Sequence, residues 1–164
     1  MRVSFDLDDT LICGPIVPAE PVGRFARWFA GERLRDGTRA LFAELRAMGF
    51  ERWVYTTSER SEASIRRIFR WHGIRLEGVV NAARHHARVQ RGRGHPMPSK
   101  YPPKFQIALH VDDDRSVQQN GERFGFRVVL VAPSDERWAE KVLDAARRLA
   151  PAPAEARGES SSGR

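Results

Sequence analysis

Hydrophobic residues follow two alternating patterns along the chain. Short, continuous apolar runs are typical of buried strands, and they cover residues 2–7, 52–55, 78–81, 106–111 and 127–131. Between these runs, apolar residues spaced three and four positions apart predict amphipathic helices over residues 18–33, 37–48, 61–72, 116–124 and 134–149. Alternating strands and helices predict an α/β fold, a doubly wound parallel sheet with helices on both faces.

Residues at the helix ends and the aromatic positions give finer predictions. Ser134 is expected to cap the last helix, with Asp135 and Glu136 in its first turn, where they complement the helix dipole. Gly49 and Gly73 are expected to end the helices before them. The tryptophans lie on helix stripes or beside a strand, so all four are predicted to be core residues: Trp28, Trp53, Trp71 and Trp138.

Length and composition fit one domain with a packed core. The chain has 164 residues, 41% hydrophobic and 30% charged, and we predict a single domain over 1–150 followed by a disordered tail over 151–164. No stretch approaches the roughly 20 apolar residues that span a bilayer, and the start of the chain has no long apolar signal region. The single cysteine, Cys13, excludes an internal disulfide and fits a reducing compartment. The expectation is a cytoplasmic protein that does not enter membranes.

Positive charge is concentrated in one segment. The net charge is +7, but residues 84–104 hold six of the 28 basic residues and no acidic one. Such a segment indicates a polyanionic substrate or partner, of which a nucleic acid is one class, although a solvated loop is the simpler interpretation. The segment is predicted to form a loop or a weak helix. Its histidines are predicted to lie at the surface, with no carboxylate or cysteine nearby to complete a zinc site: His85, His86 and His95.

Polar residues that could take part in catalysis or metal binding follow the predicted strands. Asp6 and Asp8 close the first strand, and three adjacent carboxylates follow the strand 106–111, at Asp112, Asp113 and Asp114. In parallel sheets, ligands bind at the carboxyl ends of the strands. Carboxylates gathered there repel one another unless a cation relieves them, and Mg²⁺ prefers such oxygen ligands. The alternative is that these residues form acidic, solvated turns.

Two further strand-end groups add phosphate-binding chemistry. Thr56, Thr57 and Ser58 follow the second strand, and their hydroxyl groups suit phosphate oxygens, although taken alone they are better interpreted as a cap for the helix 61–72. Lys100 and Lys104 precede the strand 106–111, and a lysine there would offset the charge of a nucleophile and a bound phosphate.

In this order the motifs resemble those of the haloacid dehalogenase (HAD) superfamily. The run Phe5-Asp6-Leu7-Asp8-Asp9-Thr10-Leu11 is similar to its first motif in the phosphatase form. Thr56 resembles the second motif, Lys100 or Lys104 the third, and His110-Val111-Asp112-Asp113-Asp114 the fourth. The resemblance extends from Arg2 to about Leu149 and implies a small or capless phosphatase-like member.

The resemblance implies a role for each motif residue. Asp6 would be the nucleophile that forms an aspartyl-phosphate, and Asp8 the general acid and base. Mg²⁺ would be held by the Asp6 carboxylate, the Asp8 backbone carbonyl and Asp113, with Asp112 holding a metal-bound water or the lysine. Thr56 would hold the phosphoryl oxygens. Lys100 is preferred as the motif lysine because Lys104 lies almost on the strand, but either residue fits.

The spaces between motifs leave no room for a large cap domain. The resemblance implies that such an open site acts on bulky substrates or is covered by a binding partner. Arg84 and Arg88 in the basic segment are candidates to bind the substrate. Two functions follow. The first is a Mg²⁺-dependent phosphomonoesterase, with a nucleotide or a nucleic-acid end as one substrate class. The second is a module of the same fold that binds nucleic acid or a partner after losing the chemistry. The intact aspartates favour the first.

Overall fold

A five-stranded parallel sheet forms the centre of the molecule. A computed structural model describes residues 1–15, 17–21, 32–92, 94 and 96–150. The sheet order is β3-β2-β1-β4-β5, with all neighbours parallel. The strands are β1 (Arg2–Phe5), β2 (Glu51–Tyr55), β3 (Gly78–Val80), β4 (Ile107–Asp112) and β5 (Val128–Leu130). The predicted doubly wound α/β fold is confirmed.

Helices connect the strands in chain order. They are α1 (Thr38–Ala47), α2 (Glu62–Trp71), α3 (Ala82–His85), α4 (Arg115–Phe124) and α5 (Trp138–Arg147). The helix α3 continues directly into a π-helical turn (His86–Gln90), and a 3₁₀ turn (Pro102–Phe105) precedes β4. Most of the helix predicted over 18–33, with Trp28, and the tail predicted over 151–164 lie outside the described residues.

Both faces of the sheet are covered by apolar packing. Successive strand residues point to opposite faces, so Val54 packs into one core while Trp53 and Tyr55 pack into the other. The larger core joins the sheet to α1, α2 and α5, and the smaller joins it to the π-helical turn and the 3₁₀ turn. Ser4 and Asp6 alternate with Val3 and Phe5, so they belong to the face of the smaller core.

Several local predictions hold and others are wrong. Gly49 and Gly73 end their helices with φ of +80° and +72°, a backbone region that favours glycine. The last helix begins at Trp138, not at residue 134, because Asp135 uses its carboxylate to cap a preceding turn at the Arg137 N–H. Ser134 therefore does not cap α5, and neither Asp135 nor Glu136 lies in its first turn.

Trp71 departs from the prediction for aromatic residues. Its side chain is 42% exposed on α2, whereas Trp53 and Trp138 are buried as predicted. The apolar stripe of α2 is carried by Ile65, Ile68 and Phe69, and Trp71 falls to one side of it. Within the described ranges, no helix has both the length and the apolar character needed to cross a membrane.

Candidate active site

A buried lysine joins two carboxylates at the carboxyl edge of the sheet. Lys100 Nζ lies 2.5 Å from Asp6 Oδ1 and 2.6 Å from Asp112 Oδ2. None of the three residues is more than 7% exposed. Buried charges are stable only when paired and hydrogen-bonded, so this bridge holds all three side chains in fixed positions.

The central strands bring these residues together. Asp6 follows β1 directly, and its backbone N–H donates to the Val111 carbonyl at 2.8 Å, which continues the β1–β4 pairing to the site. Asp112 is the last residue of β4. Since β1 and β4 are parallel neighbours, their carboxyl ends meet. They also form the point where the chain changes direction across the sheet, which is where α/β folds bind ligands.

A tight turn after β1 carries the rest of the first motif. The N–H groups of Leu11 and Ile12 both donate to the Leu7 carbonyl, and Asp9 has φ of +61°. The turn buries Thr10, whose Oγ1 donates to Asp113 Oδ1 at 3.1 Å. Thr10 therefore ties the turn after β1 to the turn after β4.

Asp8 forms an ion pair with Arg60, a residue that the sequence does not single out. Arg60 Nη1 donates to Asp8 Oδ2 at 2.9 Å and to Ser58 Oγ at 2.8 Å, and its Nη2 donates to Glu32 Oε1 at 2.6 Å. Arg60 lies four residues after Thr56 in the same loop, and this closeness to a predicted site residue could have indicated it. Glu32 is far from any motif, and no sequence pattern points to it.

The hydroxyl groups after β2 are not used to cap α2. Ser61 is the N-cap and accepts a hydrogen bond from the Ser64 N–H at 3.2 Å, so the capping interpretation of residues 56–58 is wrong. Thr56 is buried, and its Oγ1 accepts from the Ser58 N–H at 3.0 Å. Thr57 is exposed. Thr56 lies at the same sheet edge as Asp6, as its predicted role requires.

The two candidate lysines differ sharply in position. Lys100 lies between the carboxylates, whereas Lys104 is exposed in the 3₁₀ turn and makes no ion pair within the described part of the chain. Lys104 lies three residues before β4, close to the strand as predicted. The contacts of Lys100 with both carboxylates favour it as the motif lysine.

The basic segment is more ordered than predicted. Arg84 donates to the Val79 carbonyl at 2.7 Å and stacks over the Trp53 ring, while Arg88 is exposed. His85 is buried, with its Nδ1 2.5 Å from the Tyr55 hydroxyl, so its predicted surface position is wrong. His85 is the last residue of α3, and Gln90 in the π-helical turn lies 3.3 Å from its Nε2. His86 is exposed as predicted, and His95 lies outside the described residues.

The two bridged carboxylates have opposite pKa shifts. Burial raises the pKa of Asp6 to about 7, although the charge of Lys100 opposes the rise. Burial also disfavours the Asp112 anion, but the hydrogen bond from His110 and the charge of Lys100 lower its pKa to about 2. Burial acts to lower the pKa of Lys100, and the two aspartates outweigh it and raise that pKa. Asp112 is thus a permanent counter-ion for Lys100, while the Asp6 anion is the less stabilised of the two.

The same edge offers oxygen ligands for a metal ion. Single carboxylate oxygens of Asp6, Asp112 and Asp113 lie within 4.8 Å of one another. Asp112 has little capacity left, because Oδ2 accepts from Lys100 and His110 and Oδ1 accepts from the Asp114 N–H. Asp113 is half-buried and accepts one side-chain hydrogen bond, from Thr10. An all-oxygen donor set fits a hard cation such as Mg²⁺, and Asp113 has the freer carboxylate.

Asp114 has a structural role that the sequence analysis left open. Its carboxylate accepts from the Ser116 N–H at 2.7 Å and from the Ser116 hydroxyl at 2.8 Å, which makes it the N-cap of α4. The three adjacent aspartates are therefore divided in function. Asp112 pairs with Lys100, Asp113 lies beside the Asp6 and Asp112 carboxylates, and Asp114 caps a helix.

Comparison with known proteins gives a distant structural likeness. No protein-family model matches the chain, and no curated protein matches it. One similar solved structure is a predicted HAD-like family hydrolase from Porphyromonas gingivalis. It is 13% identical to this chain, with a TM-score of 0.43 over 90% of this chain and 96% of that one.

Proposed function

We propose that the chain is a phosphomonoesterase that works through an aspartyl-phosphate on Asp6. The observation that carries the proposal is the buried bridge from Asp6 through Lys100 to Asp112, with the freer carboxylate of Asp113 beside it. A structural ion pair does not need a third carboxylate next to it. A phosphoryl-transfer site does, because the transferring group brings negative charge that a cation must offset.

The proposed reaction assigns a residue to each step. An oxygen of Asp6 attacks phosphorus while the bond from phosphorus to the leaving oxygen breaks. Asp8 donates a proton to that oxygen from Oδ1, because Oδ2 accepts from Arg60. Asp8 then takes a proton from a water molecule that attacks the aspartyl-phosphate. The bond between Asp6 and phosphorus breaks, and phosphate leaves. Lys100 and Thr56 hold the phosphoryl oxygens and keep them oriented.

A bound Mg²⁺ would supply further positive charge beside the phosphoryl oxygens. The Asp6 and Asp113 carboxylates, with the Asp8 backbone carbonyl, are the groups we propose to hold it. Asp112 would act indirectly, by fixing Lys100. This division follows from the hydrogen bonds already made by each carboxylate.

A screen for phosphate release tests the proposal. The purified chain is assayed with a generic aryl phosphate, nucleotides, sugar phosphates and phosphorylated oligonucleotides, with Mg²⁺ or with a chelator. We expect Mg²⁺-dependent release from at least one phosphomonoester. Release that is unaffected by the chelator would contradict the metal assignment. Tight binding of oligonucleotides without any turnover would favour the alternative function, a nucleic-acid-binding module.

Substitution of the two neighbouring carboxylates separates their roles. Asp113→Asn is expected to raise the Mg²⁺ concentration that gives half-maximal activity by about 10- to 100-fold, because it removes a direct metal ligand. Asp112→Asn is expected to lower turnover at saturating Mg²⁺, because Lys100 loses its permanent counter-ion. Titration of activity against Mg²⁺ measures both effects. A larger rise in the Mg²⁺ requirement for Asp112→Asn would reverse the assignment.

Exposed arginines of the basic segment are proposed to attract a polyanionic substrate. Arg88 and Arg91 are exposed, and their guanidinium groups have no ion-pair partner in the part of the chain that the structure describes. Arg84 is the weaker candidate, since it already binds the Val79 carbonyl and stacks on Trp53. The substrate class inferred is a nucleotide polymer or another chain of phosphates.

Neutralising these arginines tests the substrate class. The double variant Arg88→Gln with Arg91→Gln is expected to raise KM for a phosphorylated oligonucleotide and to flatten its salt dependence, because fewer counterions are released on binding. Turnover of a small aryl phosphate should not change. The matched control is Arg67→Gln with Arg70→Gln, two exposed arginines on α2. Equal effects of the two double variants would mean that Arg88 and Arg91 belong to a solvated surface with no role in binding substrate.

A further inference from the structure

A histidine lies directly behind the lysine-bound carboxylate. His110 is on β4, two residues before Asp112, and its Nε2 is 2.8 Å from Asp112 Oδ2. On its other side, His110 Nδ1 is 2.8 Å from the hydroxyl of Ser4, its cross-strand partner on β1. His110, Ser4 and Asp112 are all 0% exposed. His110 therefore cannot touch a substrate, and its direct link to the site is the hydrogen bond to Asp112.

The hydrogen bonds determine which nitrogen carries the proton. A carboxylate only accepts hydrogen bonds, so His110 Nε2 is the donor to Asp112. In the neutral ring Nδ1 is then an acceptor, and the Ser4 hydroxyl is its donor. Apolar neighbours could fill the same space, but they would leave Asp112 Oδ2 held by Lys100 alone.

Asp112 needs this second donor because Lys100 is shared. The Lys100 ammonium group also binds Asp6, the proposed nucleophile. If Asp112 rotated about its side-chain bonds, Lys100 would follow it and lose its alignment with Asp6. His110 opposes that rotation from inside the protein, and the Asp114 N–H opposes it from the other oxygen at 3.0 Å.

We propose that His110, fixed in one tautomer by Asp112 and held in orientation by Ser4, is a positioning residue that holds Asp112 and thereby aligns Lys100 with Asp6. The inference rests on the proposed function, since alignment matters only if Asp6 receives a phosphoryl group. Groups that orient a site residue from behind are usually needed almost as strictly as that residue, and losing one costs about 10- to 100-fold in activity or metal affinity.

Two amide variants separate positioning from packing. In His110→Gln the side-chain amide can reach the place of Nε2 and still donate to Asp112. In His110→Asn it reaches only the place of Nδ1, next to Ser4. We expect His110→Asn to weaken inhibition by orthovanadate by about 10- to 100-fold, and His110→Gln to stay close to wild type. An inhibition constant does not depend on the fraction of folded enzyme, so a loss of stability alone does not change it.

Nitrogen NMR of the imidazole rings tests the same contacts without any turnover. We expect one protonated and one unprotonated nitrogen at His110, with slow exchange of the Nε2 proton, and we expect Asp112→Asn to shift that signal. Ser4→Ala removes the donor to Nδ1 and should shift the Nδ1 signal, while Asp112 keeps the proton on Nε2. This variant also serves if the amide variants do not fold.

The two sets of results distinguish the failures. A wild-type chain that releases no phosphate from any substrate, yet shows the single tautomer, would overturn the proposed function and leave the contact network intact. Equal inhibition constants for His110→Asn and His110→Gln, or a His110 Nε2 signal that is unchanged in Asp112→Asn, would overturn the positioning role.

Discussion

Replacing Asp6 by asparagine is expected to lower the rate of phosphate release by about four orders of magnitude. An amide cannot attack phosphorus to form the acyl phosphate, and loss of a nucleophile removes most of an enzyme's chemical rate enhancement. Asparagine keeps the shape of the side chain and an oxygen that accepts from Lys100, so the fold should survive. Rates measured at saturating Mg²⁺ and substrate make the comparison.

Asp9, three residues further along the chain, provides a matched control for this variant. It is exposed and has φ of +61°, a conformation that asparagine tolerates well. Asp9→Asn removes one negative charge three residues from Asp6 and should leave the rate close to wild type. A rate for Asp6→Asn within ten-fold of wild type, or an equal loss for Asp9→Asn, would contradict the role of Asp6.

Lys100→Met is expected to damage both activity and stability. The substitution leaves Asp6 and Asp112 buried without their shared cation, and breaking a buried ion pair in this way costs about 3–5 kcal/mol of unfolding free energy. The phosphoryl group also loses a positive charge, which we expect to lower kcat/KM by about 10²- to 10³-fold. Chemical denaturation and steady-state kinetics measure the two losses.

Lys104→Met is the control for this second variant. Lys104 is a lysine in the same proline-stiffened region, but it is exposed and makes no ion pair with a carboxylate among the described residues. It should change neither the unfolding free energy nor kcat/KM for a small phosphate ester. A loss of activity confined to Lys104→Met would reverse the choice between the two lysines.

The sequence predicts the site best where strand ends determine it. Asp6, Asp112 and Asp113 follow buried strands, and parallel neighbours must bring such residues to one edge. The choice between Lys100 and Lys104 was harder, since both lie shortly before β4. It depends on a 3₁₀ turn that places Lys104 in solvent, and a short turn of this kind leaves little trace in hydrophobic periodicity.

Contacts between distant residues were the ones missed. Ser4 and His110 are 106 residues apart, and their contact depends on the register of β1 against β4, which one sequence does not reveal. The salt bridge of Arg60 to Glu32 joins two loops 28 residues apart in the chain, and no local pattern predicts it. His85 was missed for a different reason. A histidine in a basic, glycine-rich segment is usually exposed, whereas His85 ends a helix and packs against Tyr55.

The central claim is that Asp6 becomes phosphorylated during turnover. Borohydride reduces an acyl phosphate, so an aspartate phosphorylated at the moment of quenching is converted to homoserine. Cleavage after arginine releases residues 3–24 as one peptide that contains Asp6, Asp8 and Asp9, and tandem mass spectrometry distinguishes them. We predict homoserine at position 6 alone, only when substrate is present. Turnover without homoserine at that position, or with homoserine at position 8, would contradict the account.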